Sequence, residues 1–343
     1  MMKRMLLAWM LALSSVFMMA QTDGLVMSYK FNQVNGTDVY DESGYGKVTA
    51  TLVNEARVAT MGSYKVLSLG DGTGYLDMTS AAGDLLKTQD NYSFSIYYLV
   101  ENDADITGAG NFLWAFSTSN ACERYAGKYT AYRVNVQRMA TSTGGWGNEK
   151  GADLGTASPK GTWKHVVYVQ DGETGKLYIE GTLAYTISSM PTNSGNFASE
   201  SLSYCWIGRS PFTADNYLKN TYVYGIGLYN KALSDSEIST LASVTSSLNT
   251  QYEKGIGGDN SSLLSAISDA ENVLSTASSS NYPQGAIDDL RDAVRYANAI
   301  ASSSASTTDM DNVSTMLNDA VSMLQSVRGV TFDASAAVTA YDT

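Results

Sequence analysis

Between residues 25 and about 229, short apolar runs alternate with clusters of Gly, Asn and Asp. The runs predict strands at 26–31, 65–69, 75–78, 92–100, 112–117, 129–139, 163–170, 176–179, 204–207 and 222–229. Several alternate with period two. Phe94, Ile96 and Tyr98 share one face, with Ser93, Ser95 and Tyr97 on the other. Trp163, His165, Val167 and Val169 alternate with Lys164, Val166, Tyr168 and Gln170. Many short strands, with no helical pattern between them, predict an antiparallel jelly-roll sandwich, mainly β. A parallel sheet would need crossover helices, and the pattern offers none.

The period changes after residue 242. Residues 243–262, rich in Ser, Gly and Asn, read as a linker. Three stripes at spacings of three and four follow. They are Leu263, Ile267, Ala270, Leu274 and Ala277; Ile287, Leu290, Val294, Ala297 and Ala301; and Met310, Val313, Leu317, Ala320, Leu324 and Val327. Each marks one apolar side of a helix. Pro283 after Asn281, and Thr308 before Asp309 and Asp311, suit helix starts. The prediction for 263–328 is a small all-α three-helix bundle, a slim spacer more than a pocket. Residues 329–343 read as a tail or the start of a further module.

Composition narrows the function classes. The net charge of −12 disfavours a nucleic-acid partner. Lys3 and Arg4 precede an apolar run that ends in Met18-Met19-Ala20. This pattern reads as a signal peptide over 1–20 and predicts export to the periplasm, the cell surface or the medium. No later segment is long and apolar enough to read as a membrane span. Cys122 and Cys205 are the two cysteines, and export would permit a disulfide between them. Two separate buried thiols are the alternative.

Four segments then carry a family likeness. They are "WKHVVYVQDGETGKLYIEGTL" at 163–183, "YKFNQVNGTDVYDESGYG" at 29–46, "SYCWIGRSP" at 203–211 and "LYNKALSDSEISTL" at 228–241. In this order they resemble the laminin-G-like, concanavalin A-like jelly-roll domains over residues 21–242, with Glu180 where that family usually has Asn. The helical part resembles the FIVAR-like modules that sit between domains of bacterial surface and secreted enzymes. The combination resembles the N-terminal part of secreted polysaccharide-degrading enzymes of Bacteroidetes-type bacteria. It implies a non-catalytic module that binds a plant or host glycan, or that packs on a downstream catalytic domain. The alternatives are a surface adhesion or structural protein whose jelly roll meets another protein and, third, a stand-alone glycosidase.

Candidate chemistry is sparse. The one histidine, His165, sits on an alternating strand and reads as framework, which leaves no Ser-His-Asp or Cys-His set. The paired acids of jelly-roll glucanases, E-x-D-x-E or E-x-D-x-x-E, do not occur. The resemblance implies one structural calcium ion. Asp38, Asp41 and Ser43 form the best oxygen cluster for it, although Tyr224 stands where the family often has an acid. Asp41 as a turn residue is the alternative. For sugar stacking, Trp146 in the Gly-rich "STGGWGNEKG" is the most suggestive residue, with Tyr125, Arg124 and Tyr217 as companions. Structural roles for these rings stay open.

Overall fold

The computed structural model describes residues 23–253, 260–301, 305 and 307–329. The expected leader at 1–20 and, apart from Gly329, the expected further module at 329–343 lie outside these residues. Of the described residues, those up to 58 and 65–250 form one compact unit. Residues 59–64 and those from 251 on form the other.

The strands are β1 Leu25–Tyr29, β2 Val34–Asn35, β3 Asp38–Tyr40, β4 Thr49–Val53, β5 Arg57–Met61, β6 Tyr64–Ser68 and β7 Tyr75–Asp77. After helix α1, Thr79–Leu86, come β8 Asn91–Val100, β9 Phe112–Ser117, β10 Tyr129–Arg133, β11 Arg138–Ser142 and β12 Glu149–Ala152. Next are β13 Lys164–Asp171, β14 Thr174–Ile179 and β15 Thr182–Ile187, then helix α2, Asn193–Phe197. β16 Tyr204–Ile207 and β17 Thr221–Tyr229 complete the set. One sheet has the order β15-β14-β13-β8-β17-β6-β5, with β1 also on β17. The other has the order β12-β11-β10-β9-β16-β7-β4-β3-β2.

Alternation decides what each sheet buries. Phe94, Ile96 and Tyr98 of β8 and Trp114 and Phe116 of β9 fill the space between the sheets. The Phe94 ring lies 5.0 Å from Trp114 and 5.5 Å from Phe116. The opposite side of β13 is not left to solvent. Val167 and Val169 pack with Tyr178, Tyr229, Leu233, Ile238 and Leu241. The last two belong to helix α3, Asp235–Ala242. A capping box starts that helix: the Ser234 side chain accepts from Glu237 N, and the Glu237 carboxylate accepts from Ser234 N.

Three expectations are corrected. The run at 129–139 is a hairpin of β10 and β11, turned at Gln137 with φ of +49°. The sandwich does contain helices, α1 and α2. The expected linker at 243–262 begins as helix α4, Val244–Tyr252. There Leu248 is buried, and Asn249 Oδ1 accepts from Trp163 N at 2.8 Å and Thr162 Oγ1 at 3.1 Å. These long-range anchors, which composition does not reveal, hold the segment helical.

The second unit contains α5 Ser261–Thr276, α6 Gln284–Ala301 and α7 Thr307–Ser326. Its core unites the three stripes through Leu263, Ile267, Ile287, Leu290, Met310 and Leu317. Met316 and Met323 are exposed, as their off-stripe positions require.

Candidate functional site

The register places two loops at one end of the nine-stranded sheet. Tyr129 pairs with both Ser117 and Ser142, and Ser142 pairs with Glu149. The β9–β10 and β11–β12 connections therefore emerge side by side. They are tied by backbone hydrogen bonds: Gly145 N to Gly127 O at 2.5 Å, Trp146 N to Glu123 O at 3.1 Å, and Gly147 N to Arg124 O at 2.7 Å. A 3-10 turn, Trp146–Asn148, follows Gly145. Ser142 Oγ donates to Gly145 O at 2.5 Å, and Asn148 Nδ2 donates to Gly144 O at 2.7 Å.

This crossing explains the glycines. Gly145 has φ of +66°, and a Cβ there would lie 2.1 Å from Glu123 O. A Cβ at Gly147 would lie 2.7 Å from the Tyr125 ring and 2.8 Å from Arg124 O. Only glycine admits so close an approach.

The result is an exposed aromatic and cationic platform. The Arg124 guanidinium carbon lies 5.1 Å from the centroids of both the Tyr125 and Trp146 rings. Tyr125 is 66% exposed and Trp146 53%, whereas Trp114, Trp163 and Trp206 are at most 2% exposed. Large rings are normally covered, so two on one locked loop pair mark a contact surface. Behind it, Glu149 is neutralised by Arg138 at 2.9 Å and accepts from Tyr129 Oη at 2.5 Å. Burial and Glu149 push the Tyr129 phenol far up. Chemically, the platform offers ring faces for apolar C–H surfaces and guanidinium N–H groups for oxygen acceptors.

Tyr217, grouped with these residues in the sequence reading, belongs elsewhere. It is half-buried and packs at 6.2 Å on Tyr75. Arg209, which the sequence reading missed, lies over Trp206, Tyr75 and Tyr217 at 3.9, 4.9 and 5.7 Å. The outward alternation of Tyr204 and Trp206 on β16, followed by Arg209, was the available signal.

The calcium expectation for Asp38, Asp41 and Ser43 does not fit the geometry. Asp41 Oδ1 accepts from Ser28 N and Ser43 N, and Oδ2 from Ser43 Oγ and Lys47 N, all at 2.8 Å. Four donors occupy the carboxylate, and Ser43 Oγ points its proton at it. Among the described residues no three His, Cys, Asp or Glu side chains group as metal ligands. Asp41 is the turn residue that binds β1 to its following loop. Added calcium should leave the melting temperature unchanged to within about 1 °C. Asp41→Ala should cost roughly 2–3 kcal/mol, because several donors lose their acceptor. A calcium-dependent rise in melting temperature, reversed by chelator, would contradict this assignment.

The disulfide expectation for Cys122 and Cys205 is also corrected. Both are free and buried. Cys205 faces the core between the sheets, whereas Cys122 packs outside with Phe112, Ala115, Tyr129 and Ala131. The nine-stranded sheet stands between them. Burial pushes both thiols up, so neither is reactive.

His165 is framework. Its Nε2 lies 2.8 Å from Ser95 Oγ, and its ring stacks on Tyr97 at 4.2 Å. The pair looks like a Ser-His dyad, but among the described residues Nδ1 has no hydrogen-bond partner to orient it. Burial lowers the imidazole from 6.5 to about 3, too weak for a general base near neutral pH. A concavity of about 260 Å³ above Ser95 and Tyr97 is lined further by Lys30, Glu42 and Tyr224. Its floor is already committed: Tyr97 Oη donates to Leu241 O at 2.5 Å, and Ser95 bonds His165.

With this geometry in hand, comparisons place the sandwich among known folds. Residues 70–239 match the family described as the concanavalin A-like lectin/glucanases superfamily. No curated protein matches the chain. Among solved structures, domain 4 of a GH43 extracellular arabinanase from Geobacillus stearothermophilus, in complex with arabinotriose, is similar. It has 16% identity and a TM-score of 0.50, over 64% of this chain and 98% of that one. Botulinum neurotoxin type C matches at 16% identity and a TM-score of 0.49, over 69% of this chain and 54% of that one. Trypanosoma rangeli sialidase, in complex with the inhibitor DANA, matches at 17% identity and a TM-score of 0.45. That match spans 64% of this chain and 32% of the sialidase. The family match and the arabinanase domain carry the fold: residues 70–239 lie in a concanavalin A-like jelly roll. Among the described residues no helix is long and apolar enough to cross a membrane.

Proposed function

We propose that this protein is an exported, non-catalytic glycan-binding part of a polysaccharide-degrading protein. The jelly roll engages the sugar, and the helical unit acts as a spacer. The observation that carries the reading is the Arg124 guanidinium set against the exposed Tyr125 and Trp146 rings. Pyranose and furanose rings present apolar C–H faces edged by hydroxyls, which such a surface meets with ring faces and N–H donors. The loops are locked before any ligand arrives, so little ordering entropy opposes binding. The similar arabinanase domain, solved with arabinotriose, is consistent with this reading. Export rests on the leader-like residues 1–20, and the enzymatic setting on the resemblance of the module order.

Affinity electrophoresis in gels containing arabinan, xylan or galactan tests the proposal. The wild-type chain should be retarded by at least one of these polymers. Trp146→Ala should weaken that retardation at least tenfold, about 1.4 kcal/mol, with an unchanged melting temperature. Equal retardation of the two proteins, or none for wild type on any polymer, would sink it.

A further inference from the structure

We propose that Arg209 and the rings around it form a second saccharide site, one that takes an anionic sugar. It rests on the glycan-binding reading but stands on different residues from the Trp146 platform. Arg209 lies on the outer face of the nine-stranded sheet, beyond β16, where it is half-buried. Its guanidinium sits 3.9 Å over Trp206, and Nη1 donates to Tyr75 Oη at 2.9 Å. Tyr204 extends the surface, with its ring 5.3 Å from Trp206. Tyr204 and Tyr217 stay partly exposed.

Among the described arginines, Arg209 is the one set over three rings. The chain carries 34 acidic and 22 basic residues, yet its half-buried arginines differ in whether they meet an acid, and among the described residues Arg57 and Arg133 form no ion pair. Arg138 does, bridging Glu149 at 2.9 Å and Asp153 at 3.1 Å. Among the described residues no carboxylate lies within ion-pair distance of Arg209, and Tyr75 is its one hydrogen-bond partner. Asp77, opposite Trp206 in the register, is turned to Thr79 N at 2.8 Å. Of five guanidinium donors, most lack a protein acceptor here. The fork geometry suits a carboxylate or sulfate oxygen pair. Tyr217 and Tyr204 supply ring faces beside it.

The test measures binding of the full chain to polygalacturonate, dextran sulfate and neutral arabinan at low and moderate salt. Wild type should bind at least one anionic polymer more tightly than the neutral one, and salt should weaken that binding. Arg209→Gln should lose at least tenfold on the anionic polymer and nothing on arabinan. Trp146→Ala should weaken arabinan binding. Loss on polygalacturonate alone identifies a carboxylate ligand, and loss on dextran sulfate alone a sulfate. Should Arg209→Gln unfold, Arg209→Lys keeps the charge without the fork and should lose about threefold or more. Unchanged anionic binding in the folded variant overturns the site. Wild-type binding to arabinan without preference for either anionic polymer overturns this site alone. Absence of binding to both anionic polymers overturns this site, and absence on arabinan, xylan and galactan as well overturns both readings.

Discussion

A chain carrying Gly145→Ala is expected to keep its sandwich and lose its platform. The added Cβ would lie 2.1 Å from Glu123 O, 2.5 Å from Arg124 C and 2.6 Å from Arg124 O. All three atoms are backbone, so no rotamer change relieves the clash. The left-handed φ of +66° adds its own penalty for a residue with a side chain. The loops must part, and the Gly145–Gly127 and Trp146–Glu123 hydrogen bonds go with them. Strain and lost bonds together should cost roughly 2–4 kcal/mol. Glycan retardation should fall at least as far as in Trp146→Ala, because Arg124, Tyr125 and Trp146 lose their alignment together. Urea denaturation beside affinity electrophoresis separates the two effects. Wild-type retardation in this variant would mean that the loop crossing does not set the binding surface.

His165 should dominate the acid response. Burial lowers its imidazole from 6.5 in the unfolded chain to about 3 in the folded one. Between those values the unfolded chain binds more protons than the folded one, so stability falls as pH falls. The contribution is fully present above about pH 6.5 and is lost progressively toward about pH 3. At about 1.4 kcal/mol per pH unit, the total is on the order of 5 kcal/mol. Burial raises the carboxyls of Glu101, Glu180 and Asp215, which gives slopes of the opposite sign. A comparison with His165→Gln isolates the histidine, since the carboxyls are common to both chains. The stability advantage of wild type over this variant should shrink steadily from pH 7 to pH 4. A constant difference across that range would show that His165 is not held neutral by its surroundings.

Much of the sandwich was legible because its strands alternate strictly. Phe94, Ile96 and Tyr98 could only face a core, and they do. The bundle was legible for the same reason, since Ile287, Leu290 and Val294 share one side of a helix at any register. Strands β2 and β3 were hidden because two or three residues are too few to show a period. Helix α4 was hidden because Ser and Thr mark linkers on average, while the contacts of Leu248 and Asn249 are long-range.

The candidate site was half legible. A tryptophan among glycines pointed at the platform, and Gly145 and Gly147 now explain that composition as loop crossing. Sequence reasoning also named Arg124 and Tyr125, and the structure sets Arg124 over the Tyr125 and Trp146 rings. That reasoning failed for Tyr217, whose neighbours Tyr75 and Arg209 come from other parts of the chain. It failed for Cys122 and Cys205, because redox compartment permits a disulfide but only sheet topology decides which face each thiol occupies. Asp41 looked like a ligand because carboxylates hold cations and backbone N–H groups equally well, and here the backbone supplies the donors.

Indole N–H spectroscopy offers the most direct test of the central claim. Among the described residues the tryptophans are Trp114, Trp146, Trp163 and Trp206, and only Trp146 is exposed. A nitrogen-15 NMR titration of the full chain with arabino-, xylo- and galacto-oligosaccharides should move one indole signal, the one absent from Trp146→Ala. The buried three should stay within line width. Saturating shifts at other indoles with Trp146 unmoved, or no shift with any of the sugars, would contradict the account.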